Sequence, residues 1–461
     1  MRTTRIEMNF YSIYDRAGLE KHLEDMAAKG WMLDKMGQYL WYYRRTEPKK
    51  LRFAVSYFPS ASVFDPAPSE KQETYREFCE HAGWNLAGAS AQLEVYWHED
   101  ENAVPLVTDP MMEIKTIHKT AKKTVILSNL LLLAIVIMNV CRTIQFYQRN
   151  TISALLSDSN IWTTLAMVFA GVYCVSELIR YFAWYFKAKK IAESEERFLT
   201  TKSTIGYTKV MLGIMILLFV IGFASFMLDE SILVGAVILG YTTVIFAIVF
   251  CIKSVLKKMN ASTNVNRTIT FISCFIISLI VTSASTFFIF RNIDLSKADE
   301  HNIVGTYDHQ GRIFEVYKDE LPFYLEDFTY VEDVQYSYYK EVEESSVLKQ
   351  VSVRQDKVGY EEEGPELSYA IIDVKIAAVY DSCVNYFLRG ASRYNDGMEY
   401  REVQDEIWGA NTVYRLYEGS EYMDTYLLCY ENRIVRISLY DFDTEQNPAF
   451  AKIISEKLKP N

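Results

Sequence analysis

Two pairs of side chains in this sequence could do chemistry, and the first pair lies in an apolar stretch. Glu177 and Arg180 are three residues apart, so a helix would place them on one face. Inside a membrane, such a pair acts as a proton relay or a ligand contact, or it is structural, with the arginine reaching the interface and pairing with the carboxylate. The structural interpretation is favoured because both residues lie near one end of the stretch.

The second pair is Cys383 and Cys429, which are the only cysteines in residues 292–461. In an oxidising compartment they could form a disulfide, but two buried free thiols fit the sequence equally well because the Cα separation decides. The remaining cysteines lack C-x-x-C spacing, so neither a zinc site nor a redox motif is predicted.

Motifs of enzymatic chemistry are absent from the sequence. It contains no G-x-x-x-x-G-K-[ST], G-x-G-x-x-G, G-x-S-x-G or H-E-x-x-H pattern. The acidic runs at residues 98–101 and 441–445 offer metal-binding oxygens, yet a solvated strand end and a helix-capping turn are the favoured interpretations. We therefore expect no catalytic residues, no cofactor and no metal, and a protein that is not an enzyme.

Five apolar blocks occupy the middle of the chain, each with roughly the 17–25 residues that cross a bilayer. They are Thr124–Cys141, Ile161–Tyr185, Val210–Leu228, Ile232–Ile252 and Ile269–Phe290. The blocks predict an all-α bundle of five transmembrane helices over residues 124–291. The first block is the shortest, and an even number of spans would result if it did not cross.

The helices carry no sequence mark of a break, because proline is absent between Pro110 and Pro322. Transporters often build their binding sites from broken helices, so a transporter is not favoured. On the fifth block, Ser278, Thr282 and Ser285 recur at helical spacing, which favours a helix-packing seam over a polar pore lining.

The distribution of charge predicts the orientation. Lysine and arginine cluster before the first block, between the second and third, and after the fourth, whereas the other two loops hold only Arg142 and Arg149. Residues 292–461 contain 17 basic and 34 acidic residues. The positive-inside rule therefore predicts a cytoplasmic N-terminus beside the anionic inner leaflet and an extracytoplasmic acidic C-terminal domain. Because the basic loops lie against lipid, direct binding to nucleic acid is not expected.

Residues 1–103 have the pattern of a small α+β domain, followed by a basic juxtamembrane linker over 104–123. A strand at 5–12 precedes a helix that starts at Asp15 and ends at Gly30-Trp31, and a second helix ends at Gly83-Trp84 before a strand at 93–97. Between the helices, alternating runs at 39–43 and 51–57 predict a hairpin. The resulting β-α-β-β-α-β order predicts a ferredoxin-like domain.

These motifs resemble a known bacterial family. FYSIYDRAGLEKHLEDMAAKGWML, an aromatic hairpin and YREFCEHAGWNLAGASAQLEVYW are similar to the domain of unknown function 2812 (DUF2812), over about the first 100 residues. The resemblance implies a membrane-associated, regulatory protein, found mainly in Gram-positive bacteria and often encoded beside a PadR-type regulator. It supplies no catalytic residues.

Residues 292–461 predict a second α+β domain with an antiparallel sheet. Strands are expected at 303–307, 312–317, 334–342, 347–353, 413–417, 424–430 and 433–440. A long helix with Ile371, Ile372, Val384 and Phe387 on its apolar face is expected to end at Gly390, and a final helix covers 447–458.

Two folded domains on either side of a membrane, without a catalytic motif, predict a sensor or regulatory protein with a protein partner in the cytoplasm. The alternative is an accessory or scaffold subunit of a transport or cell-envelope complex.

Overall fold

The computed structural model describes residues 3–37, 40–199, 204–229, 232–292, 302–309, 312–325, 335–358, 365–394, 397–440 and 448–458. The chain forms two compact units. The first comprises Met1–Val140, Thr163–Phe223 and Glu230–Arg291, and the second comprises Cys141–Trp162, Ala224–Asp229 and Asn292–Asn461.

The N-terminal domain is built from two successive strand–helix–strand–strand repeats. Its elements are β1 Thr4–Met8, α1 Arg16–Ala28, β2 Trp31–Met36, β3 Leu40–Arg45, β4 Arg52–Tyr57, α2 Glu70–His81, β5 Asn85–Ser90 and β6 Leu93–His98. Each repeat forms its own antiparallel sheet, in the orders β1-β3-β2 and β4-β6-β5. The third strand of each repeat is therefore central.

A glycine–tryptophan corner ends the helix of each repeat. Gly30 and Gly83 have φ angles of 78° and 83°, a conformation that glycine adopts without strain, and a strand starts directly afterwards. Trp84 is buried beside Cys79, which fixes the returning chain against α2. These corners confirm that both helices end where the sequence predicts.

The predicted ferredoxin-like sheet is not confirmed, and the predicted hairpin between 39–43 and 51–57 is wrong. β3 pairs with β1 and β2, whereas β4 pairs with β6 in the other sheet. Among consecutive strands, β2 pairs with β3 and β5 pairs with β6, both antiparallel. The chain continues from each glycine–tryptophan corner directly into a strand, β2 or β5, which the predicted β-α-β-β-α-β order does not include.

The middle of the chain is helical and contains one π-helical turn. Its elements are α3 Pro110–Ala121, the π turn Lys122–Ile126, α4 Leu127–Arg149, α5 Thr151–Leu156, α6 Asp158–Glu195, α7 Ile205–Asp229, α8 Ile232–Lys258 and α9 Thr263–Asn292. Within the described residues, five helices are long and apolar enough to cross a membrane, which matches the number of predicted blocks. The juxtamembrane segment expected to be a linker is largely the helix α3, which Asp109 caps through the Met111 and Met112 amides.

The C-terminal domain is an antiparallel α+β domain. Its elements are β7 Ile303–His309, β8 Arg312–Tyr317, β9 Tyr336–Glu344, β10 Leu348–Lys357, β11 Glu366–Val374, α10 Tyr380–Tyr394, β12 Met398–Val403, β13 Thr412–Glu418, β14 Glu421–Cys429, β15 Arg433–Tyr440 and α11 Pro448–Leu458. Seven strands form one sheet in the order β12-β13-β14-β15-β11-β10-β9, and β7 and β8 form a separate hairpin. The α+β class is confirmed.

The predicted long helix is wrong over its first part, because residues 366–374 form β11, an interior strand between β15 and β10. Both faces of this strand are buried: Leu367 and Tyr369 lie in one apolar cluster, and Ile372 and Val374 lie in another. The second half of the strand carries apolar residues on both faces, and the spacing of Ile371, Ile372 and Val374 also fits a helix. The helix that follows, α10, also continues beyond Gly390.

Candidate functional site

The polar pair predicted on α6 forms an ion pair. Arg180 Nη1 lies 3.1 Å from Glu177 Oε1, so the two side chains share a face as the spacing predicts. The guanidinium also lies over the Tyr207 ring of α7, at 3.9 Å from its centroid, and the Tyr207 hydroxyl is 2.5 Å from Ser176 Oγ. These contacts join α6 to α7. Whether the pair relays protons or contacts a ligand stays a prediction.

Glu177 lines an open groove of about 670 Å³ in the first unit. The groove lies between strands, loops and α1 of the N-terminal domain on one side and parts of α3, the π turn, α4, α6 and α7 on the other. Its lining comprises Asn9, Tyr11, Ser12, Ile13, Tyr14, Leu19, Gly37, Trp41, Tyr57, Val63, Ser90, Ala91, Gln92, Leu93, Thr120, Thr124, Val125, Ser128, Asn129, Tyr173, Glu177 and Thr208. We call it the aromatic groove, because five of these side chains are tyrosine or tryptophan.

One wall of the aromatic groove is a row of hydroxyl side chains four residues apart. Thr120 and Thr124 each donate a hydrogen bond of 3.0 Å to the carbonyl four residues earlier, and Ser128 donates to the Thr124 carbonyl. The π turn Lys122–Ile126 falls in the middle of this row, and π turns in helices frequently mark functional sites. Because the hydroxyl protons are used within the helix, the oxygens present lone pairs to the groove.

Two buried polar atoms of the lining lack a hydrogen-bond partner of good geometry among the described residues. They are the Tyr14 hydroxyl and the Gln92 Oε1. Tyr14 is 6% exposed, its ring stacks on Trp184 at 5.3 Å, and burial raises its pKa while the neighbouring Ser12 hydroxyl opposes the rise. Buried polar groups are normally paired, so these two atoms are available to a bound molecule.

The aromatic groove was not found from the sequence. Its residues come from segments far apart in the chain, and the two-sheet arrangement that brings them together was not predicted. The available signal was the four-residue spacing of Thr116, Thr120, Thr124 and Ser128, which places hydroxyls on one helix face.

A second site lies in the other unit, where the short helix α5 packs into the C-terminal domain. Ile152, Leu155 and Leu156 are buried in the same apolar cluster as Leu348 and Ile372. Burying each such side chain contributes about 1.5–3 kcal/mol. The segment between the first two long helices is therefore part of the core of this domain.

Hydrogen bonds fix the same segment at both ends of the contact. The Ser345 hydroxyl donates to the Leu155 carbonyl at 2.7 Å. The Ser346 amide and hydroxyl donate to Asp158 Oδ1 at 2.9 and 2.6 Å. We call residues 151–158 with Ser345 and Ser346 the clasp.

The predicted disulfide partners lie in the apolar cluster behind the clasp. Cys383 of α10 and Cys429 of β14 are both buried and are free thiols in the structure. Burial raises the pKa of Cys383 to about 12 and that of Cys429 to about 11, while the Tyr380 hydroxyl opposes the rise at Cys429. A disulfide between them stays a prediction.

No group of three potential metal ligands comes together within the part of the chain that the structure describes. The acidic run at 441–445 lies outside the described residues.

Comparison with known proteins identifies one family. Residues 17–129 match the family model described as "Protein of unknown function (DUF2812)", which confirms the resemblance of the N-terminal domain. The match extends through α3 and the π turn into α4. No curated protein and no solved structure matches the chain.

Proposed function

We propose that this chain is an integral membrane protein with a sensor or regulatory role, in which an extracytoplasmic C-terminal domain influences a cytoplasmic N-terminal domain. The observation that carries the proposal is the clasp. If the C-terminal domain were not coupled to the long helices, its core would not contain the segment that connects two of them.

The surface of the long helices supports insertion into a membrane. Large apolar side chains cover these helices and are exposed, including Phe246 at 72%, Phe275 at 68% and Phe219 at 63%. In water an apolar surface of this extent is a liability, whereas hydrocarbon lipid covers it without cost.

The clasp also bears on the orientation. Because α5 contacts the C-terminal domain, the loop at 150–157 and that domain share one side of the membrane, so an even number of crossings separates them. Four apolar helices lie between them, α6 to α9. The loop segment contains few basic residues, so the positive-inside rule supports an extracytoplasmic location for both.

The route of the proposed relay is the helix α6. It begins at Asp158 in the clasp and continues without proline to Glu195. In the first unit, its residue Tyr181 accepts or donates a hydrogen bond of 2.7 Å with His118 and packs beside Tyr14. A ligand that displaces the C-terminal domain would therefore shift a helix on which the N-terminal domain rests.

The proposed partner of the N-terminal domain is a cytoplasmic protein, and we place a PadR-type regulator in the same pathway. Neither domain is proposed to be catalytic. The basic helix ends would lie against the anionic inner leaflet, with no direct contact to nucleic acid.

Site-specific photo-crosslinking in cells tests the relay. A crosslinker replaces Glu77, which is exposed on α2, and the captured proteins are compared between the wild type and Leu155→Ala, which weakens the clasp. Ile376→Ala, at an exposed position of the same domain, is the matched control. We expect the captured set to change in Leu155→Ala alone, and an unchanged set in all three chains would contradict the relay.

The scaffold alternative has a different signature. A stable, stoichiometric transport or envelope complex would co-purify with the wild type and with Leu155→Ala in equal amounts. That result would favour an accessory subunit over a sensor.

A further inference from the structure

We propose that the aromatic groove binds an amphipathic organic cation. This ligand site is separate from the clasp and does not depend on the proposed relay. Its volume of about 670 Å³ lies within the usual 300–1,000 Å³ of sites for small organic molecules.

The charge of the lining favours a cation. Among the described residues that line the groove, Glu177 is the one with a formal charge, and lysine, arginine and histidine do not contribute. The nearby cationic groups are directed elsewhere: Lys123 donates to the Pro59 carbonyl at 2.9 Å, Lys209 lies over the Phe10 ring, and Arg180 lies over Tyr207. The described lining therefore offers an anion no lysine, arginine or histidine of its own.

The hydrogen-bonding character of the lining points the same way. The Thr120 and Thr124 hydroxyls donate their hydrogen bonds to carbonyls of their own helix, so their oxygen lone pairs can accept hydrogen bonds from a ligand. Gln92 Oε1 is an unpartnered acceptor, and Glu177 adds a carboxylate whose Oε1 alone bonds Arg180. These four side chains present acceptors, and acceptors suit a ligand that carries N–H donors or a positive charge.

Aromatic side chains supply the surface for the apolar body of such a ligand. Tyr11, Trp41, Tyr57 and Tyr173 line the groove, and aromatic faces attract organic cations at about 0.5–2 kcal/mol per contact. The buried Tyr14 hydroxyl, which lacks a hydrogen bond of good geometry among the described residues, lies in the same lining. One carboxylate and several rings are the combination that recognises a hydrophobic cation.

Two ions of the same shape and opposite charge test the proposal. The full chain in neutral maltoside micelles is dialysed against tetraphenylphosphonium or against tetraphenylborate, with protein-free micelles as background. We expect saturable binding of tetraphenylphosphonium at one site per chain and only background uptake of tetraphenylborate. Equal binding of both ions would overturn the proposal.

Substitutions test whether tetraphenylphosphonium binds in the aromatic groove. Glu177→Gln is expected to weaken tetraphenylphosphonium binding about tenfold, whereas Glu193→Gln, an exposed carboxylate on the same helix, is expected to leave it unchanged. Tyr173→Leu removes one ring without touching the ion pair and is expected to weaken binding about three- to tenfold. Wild-type affinity in both Glu177→Gln and Tyr173→Leu would overturn the assignment to this groove.

Discussion

Burial protects the thiols of Cys383 and Cys429 from reaction with reagents in solution. Their raised pKa values keep them protonated at physiological pH, and only the thiolate reacts with electrophiles. In the folded chain under reducing conditions at pH 8, we expect a maleimide to label both at least a hundredfold more slowly than in denaturant. Peptide mass spectrometry of the labelled chain measures both rates.

The same experiment without a reductant tests the predicted disulfide. Labelling of both cysteines in denaturant would show free thiols, whereas resistance to labelling until a reductant is added would show the bond. Rapid labelling of the folded chain would contradict the burial of the two thiols.

Glu20 makes the N-terminal domain sensitive to pH. Burial raises the pKa of this carboxyl above its ordinary value, although Arg16 Nε at 3.4 Å and the Val55 amide at 2.9 Å oppose the rise. The folded state then binds the proton of this carboxyl more tightly than the unfolded state does. The contribution of Glu20 to the free energy of unfolding is therefore greatest at low pH and decreases as the pH rises through the raised pKa.

Hydrogen exchange at the Val55 amide measures this effect. We expect its protection factor to fall as the pH rises above the ordinary pKa of a glutamate in the wild type, and to change less in Glu20→Gln, which keeps the acceptor and loses the charge. Glu77→Gln, at an exposed position of α2, is the control. A pH dependence in Glu20→Gln equal to that of the wild type would contradict the assignment.

At the scale of elements, the corner at Gly30 requires glycine. A Cβ there would lie 2.7 Å from the Thr46 carbonyl oxygen, at a φ of +78° that other residues adopt only at a cost of about 1–2 kcal/mol. Gly30→Ala should therefore destabilise the N-terminal domain by at least about 1 kcal/mol, as measured by tryptophan fluorescence in guanidinium. Gly206→Ala, where no atom lies within 4 Å of the added carbon, should not, and equal effects would argue against the corner.

The clasp should also respond to a single deletion of apolar volume. Leu155→Ala is expected to cost about 2 kcal/mol or more, equivalent to a loss of about thirtyfold in hydrogen-exchange protection of α5 and its neighbours. Leu165→Ala removes the same atoms from an exposed position on α6 and should leave α5 protected. Unchanged protection in Leu155→Ala would mean that the clasp does not hold this domain.

Local signals in the sequence were sufficient for elements whose boundaries are chemically marked. The glycine corners predicted where both small helices of the N-terminal domain end, and the proline-free apolar blocks predicted the five long helices. The turn at 431–432 predicted the hairpin β14–β15. The strand β5, with the sequence NLAGAS, carries little strand propensity, and its pairing with β6 supplies the stability that its residues lack.

The candidate sites were less accessible to sequence analysis, for a physical reason. The ion pair between Glu177 and Arg180 is local and was predicted from helical spacing. The clasp joins Leu155 to Ser345, and the aromatic groove joins Trp41 to Tyr173, so both depend on tertiary contacts that no single segment encodes.

For the whole molecule, the proposed relay depends on where the two domains lie relative to the membrane. If all five apolar helices of the described residues cross the membrane, as we propose, an odd number of crossings separates the N-terminal domain from the C-terminal domain, which has twice as many acidic as basic residues. The relay requires this arrangement, because a domain on the cytoplasmic side would have no access to an external signal.

The most direct test is cysteine labelling in intact, wall-stripped cells with a membrane-impermeant maleimide. Glu77→Cys reports on the N-terminal domain and Arg401→Cys on the C-terminal domain, each measured against the unsubstituted chain. We expect Arg401→Cys to be labelled in intact cells and Glu77→Cys only after lysis. Labelling of both positions only after lysis would place the two domains on the cytoplasmic side and contradict the proposed sensor.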